Sequence, residues 1–270
     1  MPQKESLIND IKNIGVNKGD IIYIHSSLKS IGWIEDGIDT LTEAFLDALG
    51  DEGTLAVPTH TLAFVERHVP PYDPKETPTS LGAYPDAVWR HPLAKRSAHA
   101  THSSAAIGAK ADFLTENHDP TNALGYDSPI YKMVRSKGKI LLIGVSQISN
   151  TTVHLAESLA APYCKLHYDS SWGDTTHTKL PDGTVKTYKQ MEFPGCSSNF
   201  DQIEKYLINT GVIKFGKIGN AESRLIDAAG MIEIVCGLIR NQPDILLCDN
   251  PKCPCCPPRR KLIKEIKECQ

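Results

Sequence analysis

Two hydrophobic periods alternate along this chain. "GDIIYIHSS" (19–27), "GTLAVPTH" (53–60) and "KILLIGV" (139–145) are short, apolar and rich in β-branched residues, the pattern of strands buried on both faces. Around them, "SLINDIKNIG" (6–15), "DTLTEAFLDALG" (39–50), "SPIYKMVRSKG" (128–138) and "SSNFDQIEKYLINTG" (197–211) repeat apolar residues at helical spacing. The second of these pairs Thr40 with Glu43 as a capping box and closes at Gly50. "TKLPDGTVKTY" (178–188) sets an Asp-Gly turn between alternating residues and predicts a hairpin. "AAGMIEIVCGLIRNQPDILLCD" (228–249) predicts a helix running into a final strand. Such alternation predicts an α/β sandwich, with one domain over 1–247 and a separate tail over 248–270. Residues 60–80 hold four closely spaced prolines and no period, so they predict a long functional loop, a lid or a wall.

Composition narrows the function classes. Hydrophobic residues make up 40% and charged residues 23%, as in a folded globular protein. The net charge of −3 argues against a general nucleic-acid binder and tolerates a cationic ligand. No leader-like apolar stretch opens the chain and no run is long enough for a bilayer, so the expected setting is cytoplasmic, without membrane contact.

The helix "SNTTVHLAESLAAP" (149–162) raises the first chemical question. His154 falls in its first turn, where the helix dipole disfavours an imidazolium and keeps the ring neutral as a base. Glu157, three residues on, shares that face and can orient the ring. The spacing alone also suits a core histidine beside a solvated glutamate. Upstream, "YIHSSLKSIG" (23–32) places His25, Ser26, Ser27 and Lys29 at the carboxyl end of a strand, where open α/β sheets bind ligands. Two serines, turn N–H groups and a lysine could cradle phosphate, and an ordinary strand exit is the alternative. "KRSAHATHSS" (95–104) gathers His99, His102 and Ser103 in a third cluster that also suits a surface loop. There is no GxxxxGK[ST], GxGxxG, GxSxG or HExxH, which argues against P-loop, dinucleotide, serine-hydrolase and zinc-protease chemistry.

Taken in order, "HSSLKSIG", "RSAHATHS", "NALGYDSP" and "VHLAE" resemble the aminoglycoside 3-N-acetyltransferase family over roughly residues 5 to 250. The resemblance implies a three-layer α/β/α sandwich around a mixed sheet, distinct from the commoner pyrophosphate-loop acetyltransferase fold. It implies acetyl-CoA beside Ser26, Ser27 and Leu28, with His25, Lys29 and Ser103 counted to the same side. His154 is then the general base, supported by Glu157, for direct acetyl transfer to a cationic amine without an acyl-enzyme. Asp73, Asp127 and His102 are the expected acceptor contacts, with Glu76 and Asp169 as further acidic candidates. Two departures bear on the acceptor. The family's "HPxHS" reads "HATHS" here, and "GEGSP" reads "GYDSP", which moves a carboxylate to Asp127. The same chemistry on a non-antibiotic amine, and a binding protein whose cysteine tail senses metal or redox state, therefore stay open, as does a homodimer.

Eight cysteines complete the picture. Cys164, Cys196 and Cys236 are scattered and are expected as reduced thiols. Cys248, Cys253, Cys255 and Cys256 crowd together, yet CxxxxCxCC departs from paired zinc spacing. The expectation is a reduced, proline-rich tail with no metal required, ending in a solvated basic helix, "PRRKLIKEIK" (258–267), that faces a partner.

Overall fold

Strand β1 (Ile21–Ser26) is buried from Ile21 to His25 because it lies mid-sheet between β2 (Thr54–Pro58) and β5 (Lys139–Ile143), parallel to both. The structure is a computed structural model that describes residues 3–61, 63, 65–164, 173–191 and 194–268. Strands β3 (Lys95–Arg96), β4 (Ser104–Gly108), β8 (Ile213–Ile218) and β9 (Ala221–Asp227) complete a mixed sheet of order β3-β4-β2-β1-β5-β9-β8. A hairpin of β6 (Thr175–Lys179) and β7 (Val185–Lys189) stands apart from it. Its Asp182–Gly183 turn is where the sequence placed one.

Alternation along the strands divides the core into two layers. Ile22, Ile24, Leu141 and Ile143 point to one face, which is covered by α1 (Lys4–Ile14), α3 (Ile38–Leu49) and α4 (Ala83–Arg90). Ile21, Tyr23, Ile140 and Leu142 point to the other, covered by α6 (Pro129–Arg135), α7 (Thr152–Ala160) and α9 (Ala228–Asn241). Short helices α2 (Leu28–Ile31), α5 (Ala111–Thr115) and α8 (Glu204–Thr210) fill connections, and α10 (Cys256–Glu268) closes the described chain. This is the expected three-layer α/β/α sandwich around a mixed sheet. Among the described residues, no helix is long and apolar enough to cross a membrane.

Three local expectations are corrected, and one element went unread. Helix α3 starts at Ile38 after Gly37, so Thr40 lies inside it, and Glu43 pairs with Lys4 (2.8 Å) instead of closing a capping box. Among the described residues, no strand follows α9. "DILLCD" is apolar because Leu246 and Leu247 fill the core, while Asn199 Nδ2 and Arg260 Nη2 donate to its carbonyls in place of a sheet neighbour. The edge hairpin β8–β9 went unread because β8 is mostly solvated and carries no clean alternation. The basic terminal helix is not uniformly solvated: Arg259 is 1% exposed and Ile263 joins the core.

Tyr72 ties the loop that follows β2 to the hairpin. Tyr72 exchanges backbone hydrogen bonds with the hairpin, its N–H donating to the His177 carbonyl (2.7 Å) and its carbonyl accepting from Lys179 N–H (2.8 Å). Its buried hydroxyl donates to the Ser97 carbonyl (2.8 Å).

Candidate active site

The turn after β5 delivers His154 to its position. Gly144 takes a positive φ of 64°, and a Cβ there would come within 2.4 Å of the Ser30 Cβ, so the turn requires glycine. Asn150 then accepts the Thr152 N–H on its side-chain oxygen (3.1 Å) and donates to Gln147 Oε1 (3.0 Å), which starts α7. The third residue of that helix is His154.

Glu157 sits one turn on and is 1% exposed. His154 Nδ1 donates to Glu157 Oε2 at 2.6 Å, and the Tyr163 hydroxyl donates to Oε1 at 2.8 Å. Behind them Arg259 Nη1 lies 3.8 Å from Oε1, with the guanidinium 5.2 Å from the Tyr163 ring centroid. Phe200 meets the His154 ring edge to face at 4.6 Å. A carboxylate accepting from Nδ1 fixes the proton there and leaves Nε2 as the ring's lone-pair nitrogen.

Two cavities meet at this ring. One, of about 260 Å³, is lined by His25, Ser26, Pro58, Val145, Thr151 and His154. The other, of about 480 Å³, is lined by His60, His102, Thr151, His154, Cys196 and Cys253 among others. On the first wall His25 Nε2 and the Ser26 hydroxyl are buried with no hydrogen-bond partner among the described residues. Orphaned polar atoms facing a cavity suit a ligand that supplies their partners. Burial holds His25 neutral, its pKa pushed down to about 3. Ser27 donates its N–H to the Ile143 carbonyl (2.9 Å) and its hydroxyl accepts from Ser30 (3.0 Å), which fixes the loop.

Not every residue singled out in the sequence reaches these cavities. Leu28 is half-buried against the α1/α3 layer, and Lys29 is exposed. Ser103 is fully buried, donates to the Thr59 carbonyl (2.7 Å) and lines neither cavity. Asp73 lines a separate cavity of about 670 Å³ with Glu76 and pairs with Lys179 (3.0 Å). Asp127 is exposed in the "GYDSP" turn and lines neither cavity. Asp169 lies outside the described residues. His102, by contrast, faces the second cavity together with His154. Among the described residues, no carboxylate lines that cavity.

Sequence reasoning missed Tyr163 and Arg259. Tyr163 follows the helix by three residues and could have been found as a buried phenol near Glu157. Arg259 stands 102 positions from Glu157 in a run of basic residues, and nothing in that run distinguishes it.

Histidines also crowd the wall behind the second cavity. His60 and His102 have ring centroids 4.5 Å apart, and His99 stacks on His118 at 4.7 Å. Burial holds all of them neutral, with His60 pushed down to about 3 and His118 to about 4. The unfolded chain takes up protons at these rings near pH 6.5, well before the folded chain does. Stability is therefore fully present above about pH 6.5 and falls as pH drops toward 4. A thermal melt at pH 5.0 is expected to show a clearly lower midpoint than one at pH 7.5; equal midpoints would contradict the neutral cluster.

A family model described as aminoglycoside 3-N-acetyltransferase matches residues 23–239. The aminoglycoside N(3)-acetyltransferase IV of Salmonella is 33% identical over 249 residues, 91% of this chain and 90% of that protein. The solved apoenzyme of aminoglycoside acetyltransferase AAC(3)-IVa superposes with a TM-score of 0.81 at 31% identity, covering 96% of both chains. A mutant of that enzyme has been solved in complex with a gentamicin. AAC-IIIb, solved as a binary complex with CoASH, gives a TM-score of 0.77 at 25% identity, over 89% of this chain and 97% of that one.

Proposed function

The chain belongs to the aminoglycoside 3-N-acetyltransferase family, and from that premise we propose that it moves acetyl from acetyl-CoA directly to the 3-N amine of an aminoglycoside, with His154 as general base. The observation that carries this reading is a histidine whose Nδ1 is bound by a buried carboxylate at 2.6 Å and which lines both cavities. Reactants approaching from either side meet at its other nitrogen.

The cavity of His25 and Ser26 takes the thioester side. Their orphaned polar atoms are the contacts that a CoA derivative would complete. A relative solved with CoASH supports the co-substrate. The cavity of His60 and His102 takes the amine; both rings are held neutral by burial and so do not repel a polycation. An aminoglycoside amine is protonated near neutral pH and is not a nucleophile until that proton leaves. Once the ammonium has lost its first proton to solvent, the amine nitrogen attacks the thioester carbonyl and forms the C–N bond. His154 Nε2 takes the remaining excess proton from nitrogen. The Glu157 carboxylate stabilises the imidazolium so formed. The tetrahedral oxyanion collapses with cleavage of the C–S bond, and His154 returns its proton to the departing sulfur, giving CoASH and the N-acetyl product. No covalent enzyme intermediate is needed.

A second reading rests on a specific observation: the amine-side cavity is lined by a cation, Lys252. A smaller or less charged amine than an aminoglycoside fits such a wall. Thiol release from acetyl-CoA, followed across gentamicin, apramycin, kanamycin and simple monoamines, separates the two. Acceptor-dependent release with the antibiotics supports the first reading. Turnover confined to simple amines replaces the acceptor and leaves the transferase.

A further inference from the structure

Four cysteine sulfurs meet where the sequence showed no paired motif. Sγ of Cys196, Cys248, Cys253 and Cys256 all lie within 4.8 Å of one another, and Cys196 and Cys248 are 3.8 Å apart. A tetrahedral ion with metal–sulfur bonds of ~2.3 Å sets its ligands about 3.8 Å from each other. From this geometry we propose that these four residues form a structural tetrathiolate zinc site that fastens the C-terminal segment to the wall of the amine-side cavity.

The set differs from the one the sequence suggested. Cys255 drops out and Cys196, more than fifty residues upstream, takes its place. With Cys255 set aside, Cys253 and Cys256 form a C-x2-C pair, the spacing at which one turn offers two sulfurs to the same ion. Adjacent cysteines at 255 and 256 hid this pair, and no local pattern announces Cys196.

The surroundings are those of a thiolate site. Backbone N–H groups already point at two of the sulfurs, Cys248 N–H at Cys256 Sγ (3.3 Å) and Ser198 N–H at Cys196 Sγ (3.4 Å). Such donors stabilise negative sulfur and fix its direction. None of the four sulfurs is in a disulfide. A disulfide would join them only in pairs, at a bond length of about 2.05 Å, and would leave no reason for all four to converge. Arg260 Nη2 braces the Cys248 segment, donating to the carbonyls of Leu247 (2.7 Å) and Cys248 (3.2 Å). Zinc binding here releases the four thiol protons and leaves a dication among four thiolates.

The site has a mechanical consequence. Cys256 opens α10, and Arg259 follows it by one turn, so an ion on Cys256 holds the helix that carries Arg259 to Glu157. Gly195, beside Cys196, admits the Arg259 guanidinium: a Cβ there would stand 2.6 Å from Nη1. One ion therefore clamps both segments that bracket this arginine.

The test uses the full-length protein, purified under reducing conditions with zinc in the growth medium and no chelator. Elemental analysis is expected to give close to one zinc per chain, and the metal-stripped protein titrated with Co²⁺ is expected to show a thiolate-to-cobalt charge-transfer band and tetrahedral d–d bands. Cys196→Ser should lose the metal and the tetrathiolate spectrum, whereas Cys255→Ser should keep both. Absence of zinc together with no cobalt spectrum overturns the proposal, and so does retention of the full spectrum by Cys196→Ser. Because the cobalt titration is run on the unmutated chain, a variant that fails to fold does not protect the idea.

Discussion

Replacing His154 with alanine is expected to lower kcat for acetyl transfer by about a thousandfold, within the range of two to four decades that a positioned general base supplies. That loss corresponds to about 4 kcal/mol of barrier. The argument is geometric. Nδ1 is committed to Glu157 at 2.6 Å, so Nε2 is the nitrogen left for a proton, and the ring forms part of both cavities. Alanine removes the base but leaves the His25–Ser26 wall intact. Affinity for CoA, measured by calorimetry, should change less than about threefold, while steady-state thiol release collapses. A variant that keeps more than a tenth of its rate would remove His154 from the chemistry and return it to the core-histidine reading that its spacing also allowed.

Much of the layer structure was legible because burial on both faces leaves an unmistakable trace. Ile21–Ile24 and Ile140–Ile143 are apolar at every position since helices cover both sides of them. The edge strand β8 left no such trace, because solvent accepts almost any residue there. The apolar "DILLCD" left a false one, because a buried irregular segment bonded by Asn199 reads like a strand. In the active site the local part was legible: an i,i+3 pair on one helix is a property of spacing alone. The acidic acceptor contacts were not, and Asp73 and Asp127 fell away from the cavity because nothing in a loop sequence says which way it folds back. The least legible feature was the partner of Glu157. Basic residues are overwhelmingly solvated, so a run of them carries no sign that one member is buried.

Arg259→Met is the variant that measures what that run concealed. Glu157 and Arg259 are both 2% exposed at the side chain, and their 3.8 Å approach is a Coulombic contact rather than a hydrogen bond. Removing one member of a buried pair leaves the other charge uncompensated, which costs about 3 kcal/mol or more. In a chain of this size that is a fall in Tm of about 6–12 °C. Methionine keeps most of the side-chain volume against the Tyr163 ring, so the loss reports charge more than a cavity. The companion experiment is the double variant Arg259→Met with Glu157→Gln. If stranded charge is the cause, neutralising Glu157 returns most of the lost stability, because the two sites share one interaction and their effects do not add. Activity should not return with it, since glutamine cannot stabilise an imidazolium on His154 as a carboxylate does. A double variant as unstable as the sum of the singles would mean that Arg259 acts through packing alone. Stability restored without catalysis would instead show that a residue 102 positions away offsets the buried charge of the carboxylate that serves His154.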